Sequence, residues 1–437
     1  MGKPGAVSIG LLGLGGVGSR VVQALSESAD MLERRLGQPI SVTQVLVRDL
    51  EKPRAISIPN GILTTDPKQI IDNPEISIVV ELMGGDEPAH SYIRQAMATG
   101  KHVVTANKEV IAKFGVELLE QATSNNVQLR FEASVGGGIP IIEPLRRDLQ
   151  ANNLRSIHGI INGTTNYILS RMAIEKHSFE QALQEAQNLG YAEPDPTNDV
   201  EGIDAAYKLT ILATLAFHTQ ISIEDVYYQG ISNLESKDFL YAQELGYVIK
   251  PLAIAIRDGR ILQVRVHPAF VPTTETISKV DGVFNAIEIE GDLVGRVLFH
   301  GRGAGAQPTA SAVISDILGI CESTSNGSTA GPQSFLENDF SVRPVTELIT
   351  KYYVRMNVPD KPGVLAQIAQ IFAENQISID SVIQKEKNEA LGTAELVIMT
   401  HPSLEAAMQK SLRDMDRLEV VQKIGNLIRV EEWNSTS

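Results

Sequence analysis

Residues 7–18 hold the N-terminal part of this chain to one kind of fold. The apolar run VSIGLL predicts a strand over 7–12, GLGGVG follows it, and a helix is expected from about residue 17 to 25. Gly13, Gly15 and Gly18 therefore form G-x-G-x-x-G between a strand and a helix, the context that gives this motif its meaning. The first glycine permits the tight turn, the second lets backbone approach a pyrophosphate, and the third lets helix and strand pack. The helix N-terminus then offers amide hydrogens and a positive dipole end to phosphates, so Gly13, Leu14, Gly15, Gly16, Val17 and Gly18 form the expected phosphate cradle. Apolar runs at 42–47, 76–82 and 102–105 alternate with helical patterns at 91–98 and 110–123. That alternation predicts a doubly wound parallel sheet, an α/β Rossmann-type domain.

The totals bound the remainder. At 437 residues the chain has room for about three domains. A formal net charge of −15 argues against nucleic acid and anionic membrane as partners, so an anionic substrate must be met by a few placed cations. Cys321 is the lone cysteine, which leaves no intramolecular disulfide and no cysteine-rich metal site. The histidines are scattered without an HExxH pair, against a zinc enzyme, and no apolar run reaches membrane-spanning length. The expected location is the cytoplasm. The expected division is a dinucleotide-binding domain over 1–138 and an α+β substrate and dimerisation domain over 139–320, of which about 300–320 return to the cofactor domain. A linker over 321–350, rich in Ser, Thr and Gly at 322–333, precedes a last domain at 351–432. That last stretch reads strand, helix, two strands, helix, strand, the ferredoxin-like βαββαβ order.

One helix stands out chemically. GIDAAYKLTILATLAF, residues 202–217, is apolar except for Asp204 and Lys208, which share a helix face one turn apart. Burying both costs several kcal/mol unless something is gained, and on this helix alone the gain is either a structural ion pair or chemistry. At the end of the second strand, Asp49 could accept from a ribose hydroxyl and favour NAD. Arg48, with Lys52 and Arg54, could pair with a 2′-phosphate; the balance leans to NADP.

Four segments following GLGGVG carry a resemblance: TANK at 105–108, FEASVGGGIPII at 131–142, INGTTNYIL at 161–169 and GYAEPDPTNDVEGIDAAYK at 190–208. In this order they look like homoserine dehydrogenase in its monofunctional form, over roughly residues 5–320. The stretch PDKPGVLAQIAQIFAENQISIDSV resembles an ACT domain, an amino-acid-sensing module. The resemblance implies reversible hydride transfer between NADP (or NAD) and L-aspartate 4-semialdehyde, giving L-homoserine on the route to threonine, methionine and isoleucine. It further implies Lys208 as proton donor, Glu193 and Asp204 on the substrate ammonium (or Asp204 orienting Lys208), and Lys108 near nicotinamide and substrate. Gly190 and Gly303 match positions where the family backbone meets the cofactor, although Arg302 stands where many relatives have proline. The carbonyls of Glu132, Val135, Gly137 and Ile139 match the family's site for a monovalent cation, Na+ or K+. Asn162 to Asn166 would form a polar loop near the substrate, or simply cap the next helix.

ACT modules commonly bind an amino acid where copies pair. By that resemblance Asp360, Pro362, Gly363 and Val364 form the effector edge, L-threonine is the expected inhibitor, and a homodimer or homotetramer is expected. Two other readings stay open. Another ACT-bearing dehydrogenase acting on a hydroxy acid would lack the 190–208 block and place a histidine as acid–base. A non-catalytic amino-acid sensor would show a broken site, whereas Lys108, Glu193, Asp204 and Lys208 are all present.

Overall fold

The computed structural model describes residues 6–54, 56–325, 336, 340–388 and 392–433. The chain forms two compact units, each built from separate stretches. The first takes residues 1–154, 207–223 and 285–339; the second takes 155–206, 224–284 and 340–437.

In the first unit, β1 (Val7–Leu12), β2 (Ile40–Leu46), β3 (Leu63–Thr64), β4 (Ile78–Glu81), β5 (His102–Thr105) and β6 (Leu129–Arg130) form one sheet in the order β3-β2-β1-β4-β5-β6. Every pairing is parallel. The order reverses between β1 and β4, which opens a crevice at their C-terminal ends, where such sheets take ligands. Strands covered on both faces are mainly apolar, and β4 is buried at each position, with Glu81 its one polar residue. Helix Ala306–Ser325 belongs to this unit: Ala310, Val313, Ile317 and Ile320 pack in one core with Ile9, Leu11, Val21, Val80 and Val104. Residues 285–339 belong to this unit. Residues 139–154 also cluster with the first unit.

The second unit is organised on a mixed sheet. Strands Tyr247–Asp258 and Ile261–Pro272 form a long antiparallel hairpin paired from Ile261↔Asp258 to Pro272↔Tyr247, turned by Gly259 at φ +60°. Leu154–Ile160 pairs on one side of it, at Ser156↔Ile256 to Gly159↔Ala253. On the other side lies the βαββαβ region: strand Ile349–Pro359, helix Val364–Glu374, strands Ile379–Asn388 and Thr393–Thr400, helix Glu405–Met415 and strand Lys423–Val430. Its strand order is Lys423–Val430, Ile349–Pro359, Thr393–Thr400, Ile379–Asn388. The Lys423–Val430 edge is taken by this chain's own Ile261–Pro272, in parallel register at Ala269↔Arg429 and Phe270↔Val430. The C-terminal region is therefore not a bead on a string: it clusters with residues 155–206 and 224–284. Of the expected 321–350 linker, 321–325 end a helix and 341–342 form a short strand on Ile261–Pro272, while 326–335 and 337–339 lie outside the described residues.

Candidate active site

The cofactor side is built by glycines. Gly13 follows β1 at φ +101°, and a Cβ there would stand 2.8 Å from the Leu82 carbonyl beyond β4. A Cβ on Gly18 would meet the Gly13 carbonyl at 2.4 Å, so the third glycine lets the helix Gly16–Glu27 seat against the turn. Gly15 is different: an added Cβ would meet nothing within 4 Å, leaving its backbone open to a ligand. The helix has no acidic residue in its first turn and no side-chain cap, so its amides face outward uncompensated. These features fit a pyrophosphate.

Beyond β2, Arg48 and Asp49 are both exposed. Arg54 is occupied in folding its own loop, its Nη1 donating to the carbonyls of Leu50 (3.0 Å) and Lys52 (2.8 Å). The Asp49 carboxylate accepts from the Glu51 N–H at 2.9 Å. Arg48 is thus the more available of the two arginines.

Lys108 opens helix Lys108–Ser124 and is half-buried. Its position is set by a buried network that the motif TANK does not announce. Thr105 Oγ1 donates to Glu81 Oε2 (2.6 Å) and accepts from the Asn107 N–H (2.9 Å). Asn107 caps the helix by accepting from Val110 N–H (3.2 Å), and its amide donates to the Gly85 carbonyl (2.6 Å). Glu81 is fully buried, and burial raises its pKa against the bonds from Thr105 and Met83.

The segment proposed for a cation closes tightly. The Glu132 carboxylate accepts from the N–H groups of Ile141 (2.6 Å), Ile142 (2.8 Å) and Glu143 (2.8 Å). The Glu132 N–H donates to Asp316 on helix Ala306–Ser325 at 2.8 Å. Gly136 and Gly137 adopt φ +72° and +55°, and a Cβ on Gly137 would lie 2.5 Å from the Gly303 carbonyl. Val135, Gly137 and Ile139 are buried with Glu132. A buried turn with left-handed glycines suits a hard cation held by carbonyl oxygens. Among the described residues no group of three or more His, Cys, Asp or Glu could hold a metal. Gly303 has no room for a side chain, since a Cβ would overlap the Asn285 amide at 1.9 Å.

On the substrate side, Asp204 is only 4% exposed, in the first turn of helix Ile203–Phe217, with Lys208 half-buried one turn later. Asn162 caps helix Gly163–Ile174 through its side-chain oxygen, which accepts from the Thr165 N–H at 2.8 Å. Its amide nitrogen donates to Asp204 Oδ2 (2.8 Å) and to Asp199 Oδ1 (2.6 Å). Cap and carboxylate holder are thus the same residue, and Asp199 joins the cluster. Spacing in 190–208 could not separate Asp199 from its acidic neighbours. Asn166 turns away: its amide nitrogen lies 3.2, 3.0 and 3.0 Å from the carbonyls of Val280, Gly282 and Phe284, a structural clamp. Glu193 is exposed on the loop before helix Thr197–Val200, its carbonyl accepting from Gln187 at 3.1 Å. Gly190 ends helix Phe179–Asn188 at φ +74°, also exposed.

In the C-terminal region Gly363 sits at φ +88° and starts helix Val364–Glu374. The Asp360 N–H donates to Gly392 (2.9 Å), and Gln384 donates to the Asp360 carboxylate (3.2 Å).

Comparison with known proteins agrees along the whole chain. Residues 13–132 match the homoserine dehydrogenase NAD-binding domain, 140–318 the homoserine dehydrogenase domain and 352–416 the ACT domain. The homoserine dehydrogenase of Synechocystis sp. is 45% identical over 433 residues, spanning 97% of this chain and 99% of that protein. That of Bacillus subtilis is 40% identical, spanning 98% of each. The crystal structure of a homoserine dehydrogenase from Thiobacillus denitrificans superposes with a TM-score of 0.91 at 43% identity, covering 98% of both chains. A hyperthermophilic archaeal homoserine dehydrogenase in complex with NADPH matches 72% of this chain and 97% of its own, with a TM-score of 0.62 and 28% identity. The chain belongs to the homoserine dehydrogenase family, NAD(P)-dependent oxidoreductases, and carries a C-terminal ACT domain.

Proposed function

We propose that this chain reversibly reduces L-aspartate 4-semialdehyde to L-homoserine with Lys208 as proton donor, serving threonine, methionine and isoleucine synthesis in the cytoplasm. The observation that carries this reading is the Asn162-held pair Asp199 and Asp204, with Lys208 one helical turn beyond Asp204. A pair of carboxylates held together by one amide is a chemically apt seat for the substrate ammonium. Asp204 therefore anchors the amino end, with Glu193 as a further acidic partner. Lys208 and Lys108 serve the carbonyl end.

A bound reduced nicotinamide supplies the hydride to the aldehyde carbon. As the carbonyl oxygen gains negative charge, the Lys208 ammonium gives it a proton; in reverse, neutral Lys208 takes the alcohol proton. NADP is the preferred cofactor because Arg48 is exposed beyond the second strand, while NAD is served by Asp49. The archaeal relative's NADPH complex supports that preference. Residues 13–18, Arg48, Lys108, Gly190 and Gly303 are the cofactor-binding residues of this reading. The carbonyls of Glu132, Val135, Gly137 and Ile139 hold Na+ or K+. L-Threonine acts at Asp360, Pro362, Gly363 and Val364, in a homodimer or homotetramer, and the working domains are 1–138, 139–320 and 351–432.

The test is absorbance of the reduced nicotinamide with L-homoserine and either NADP or NAD. Homoserine-dependent reduction, faster with NADP, is the expected result. Lys208→Ala should lower kcat by roughly 10²–10⁴-fold with cofactor binding kept; near-wild-type turnover sinks the proton-donor role.

A further inference from the structure

A cavity of about 490 Å³ opens in the first unit between the C-terminal half of helix Lys108–Ser124 and the edge strand Leu129–Arg130. Its lining begins at Val116, eight residues and about 12 Å along the helix from Lys108. None of the phosphate-binding glycines reaches it. Part of the lining is apolar, from Val116, Leu119, Ala122 and Leu129. The lining also carries charged residues, Glu120, Arg130, Glu143, Arg146 and Arg147.

Arg146 is the unusual member. It is half-buried, with its guanidinium 5.7 Å from the centre of the Phe131 ring. Among the described residues it has no hydrogen bond or ion pair. Burial holds its pKa below the usual arginine value. A partly buried guanidinium that touches only an aromatic ring, with Glu143 acting on it through charge alone, keeps N–H groups for an arriving carboxylate, which would meet them with paired N–H···O bonds. Glu143 sits in the same lining with Arg130 at 3.6 Å, a loose contact that leaves carboxylate capacity for another cation. Opposite charges and apolar side chains in one lining match a zwitterion with a hydrocarbon side chain, and the volume is ample for it.

We propose that this cavity is a binding site for an apolar α-amino acid, its carboxylate on Arg146, its ammonium on Glu143 and its side chain against Val116, Leu119 and Ala122. The site is separate from the proposed effector edge at Asp360 and independent of the reaction proposed above.

The test is calorimetric titration of the full chain with L-leucine and with 4-methylpentanoate, which lacks the ammonium. Expected are saturable binding of L-leucine and roughly tenfold weaker binding of 4-methylpentanoate. Arg146→Met should weaken L-leucine at least about tenfold, and Leu119→Trp, which fills the cavity without touching a charge, should abolish binding. Asp360→Ala should leave it intact. The proposal is overturned if no heat develops up to about 10 mM ligand, if Arg146→Met and Leu119→Trp both bind as wild type, or if Asp360→Ala alone removes binding. Melting curves of each variant establish that it is folded, and a misfolded Arg146→Met leaves Leu119→Trp to decide.

Discussion

Asn162 uses both hydrogens of its amide on carboxylates, and that determines how it should respond to substitution. Asn162→Ala removes the bridge between Asp199 and Asp204 along with the cap of helix Gly163–Ile174. The lost cap costs about 1 kcal/mol of stability. The lost bridge lets Asp204 turn, so kcat/KM for homoserine should fall roughly 10–100-fold, mainly through KM. Asn162→Asp keeps a capping oxygen but adds a third carboxylate, and should be at least as impaired. Steady-state kinetics decide the matter: an unchanged KM in both variants would make the bridge purely structural. Gly18 makes a simpler case. A methyl group 2.4 Å from the Gly13 carbonyl forces the turn open, so Gly18→Ala should weaken nucleotide binding more than about tenfold in a fluorescence titration. Gly15→Ala, with open space around it, should fold normally and lose affinity only through contact with the ligand.

Elements differ in how plainly the sequence declares them. The alternation of buried strand and helix at 7–130 is local information, so the doubly wound sheet is legible, including its motif at the β1 turn. The two acidic residues flanking Asn162 in space are not, because Asp199 and Asp204 lie 37 and 42 residues beyond it in the chain. The union of Lys423–Val430 with Ile261–Pro272 is equally hidden, being a pairing across 160 residues (Ala269↔Arg429) that no local pattern encodes. Yet polar residues in that union are telling in hindsight. Glu431 accepts from Arg265 Nη2 at 2.7 Å and lies 3.1 Å from His158 Nε2, all of them buried. Burial alone would raise the Glu431 pKa, but the Arg265 charge and the His158 bond reverse this and hold it at about 2. A carboxylate depressed in the folded state stabilises above its unfolded pKa near 4.5, and that stability is lost as pH falls towards 2. Glu431→Gln should therefore cost about 3 kcal/mol at pH 7. Its melting temperature should converge on wild type between about pH 4.5 and 2.5; a pH-independent gap would mean that packing, not charge, is responsible.

At the scale of the whole chain, the C-terminal region behaves as part of the second unit's core. Asp238, on helix Ser236–Glu244, is fully buried and accepts from Arg355 Nε (2.7 Å), Tyr353 Oη (3.1 Å) and Asn426 Nδ2 (2.9 Å), every one from beyond residue 340. Tyr241 on the same helix donates to Glu395 at 2.6 Å, and Arg265 loses its carboxylate if Glu431 is absent. Phe270 and Ile249 share one core with Tyr353, Val397 and Val430. Ending the chain at residue 339 would strip these partners together, leaving an arginine and an aspartate unpaired and an apolar face open to water. Each orphaned charge costs about 3–5 kcal/mol where it stays buried, comparable to the stability of a whole domain. A chain of residues 1–339 should therefore be poorly soluble or melt well below the full-length protein, and lose turnover for that reason rather than through loss of an effector. Differential scanning calorimetry and activity on the truncated chain provide the measurement. A truncated protein that melts like the full chain and turns over homoserine would mean that residues 155–284 fold without the C-terminal region, and that the buried Asp238 and Arg265 readily find water or new partners. The opposite outcome, an unfolded truncation rescued by Asp238→Leu combined with Arg265→Met, would trace the dependence to unpaired charge, since both substitutions replace an orphaned ion with an apolar side chain.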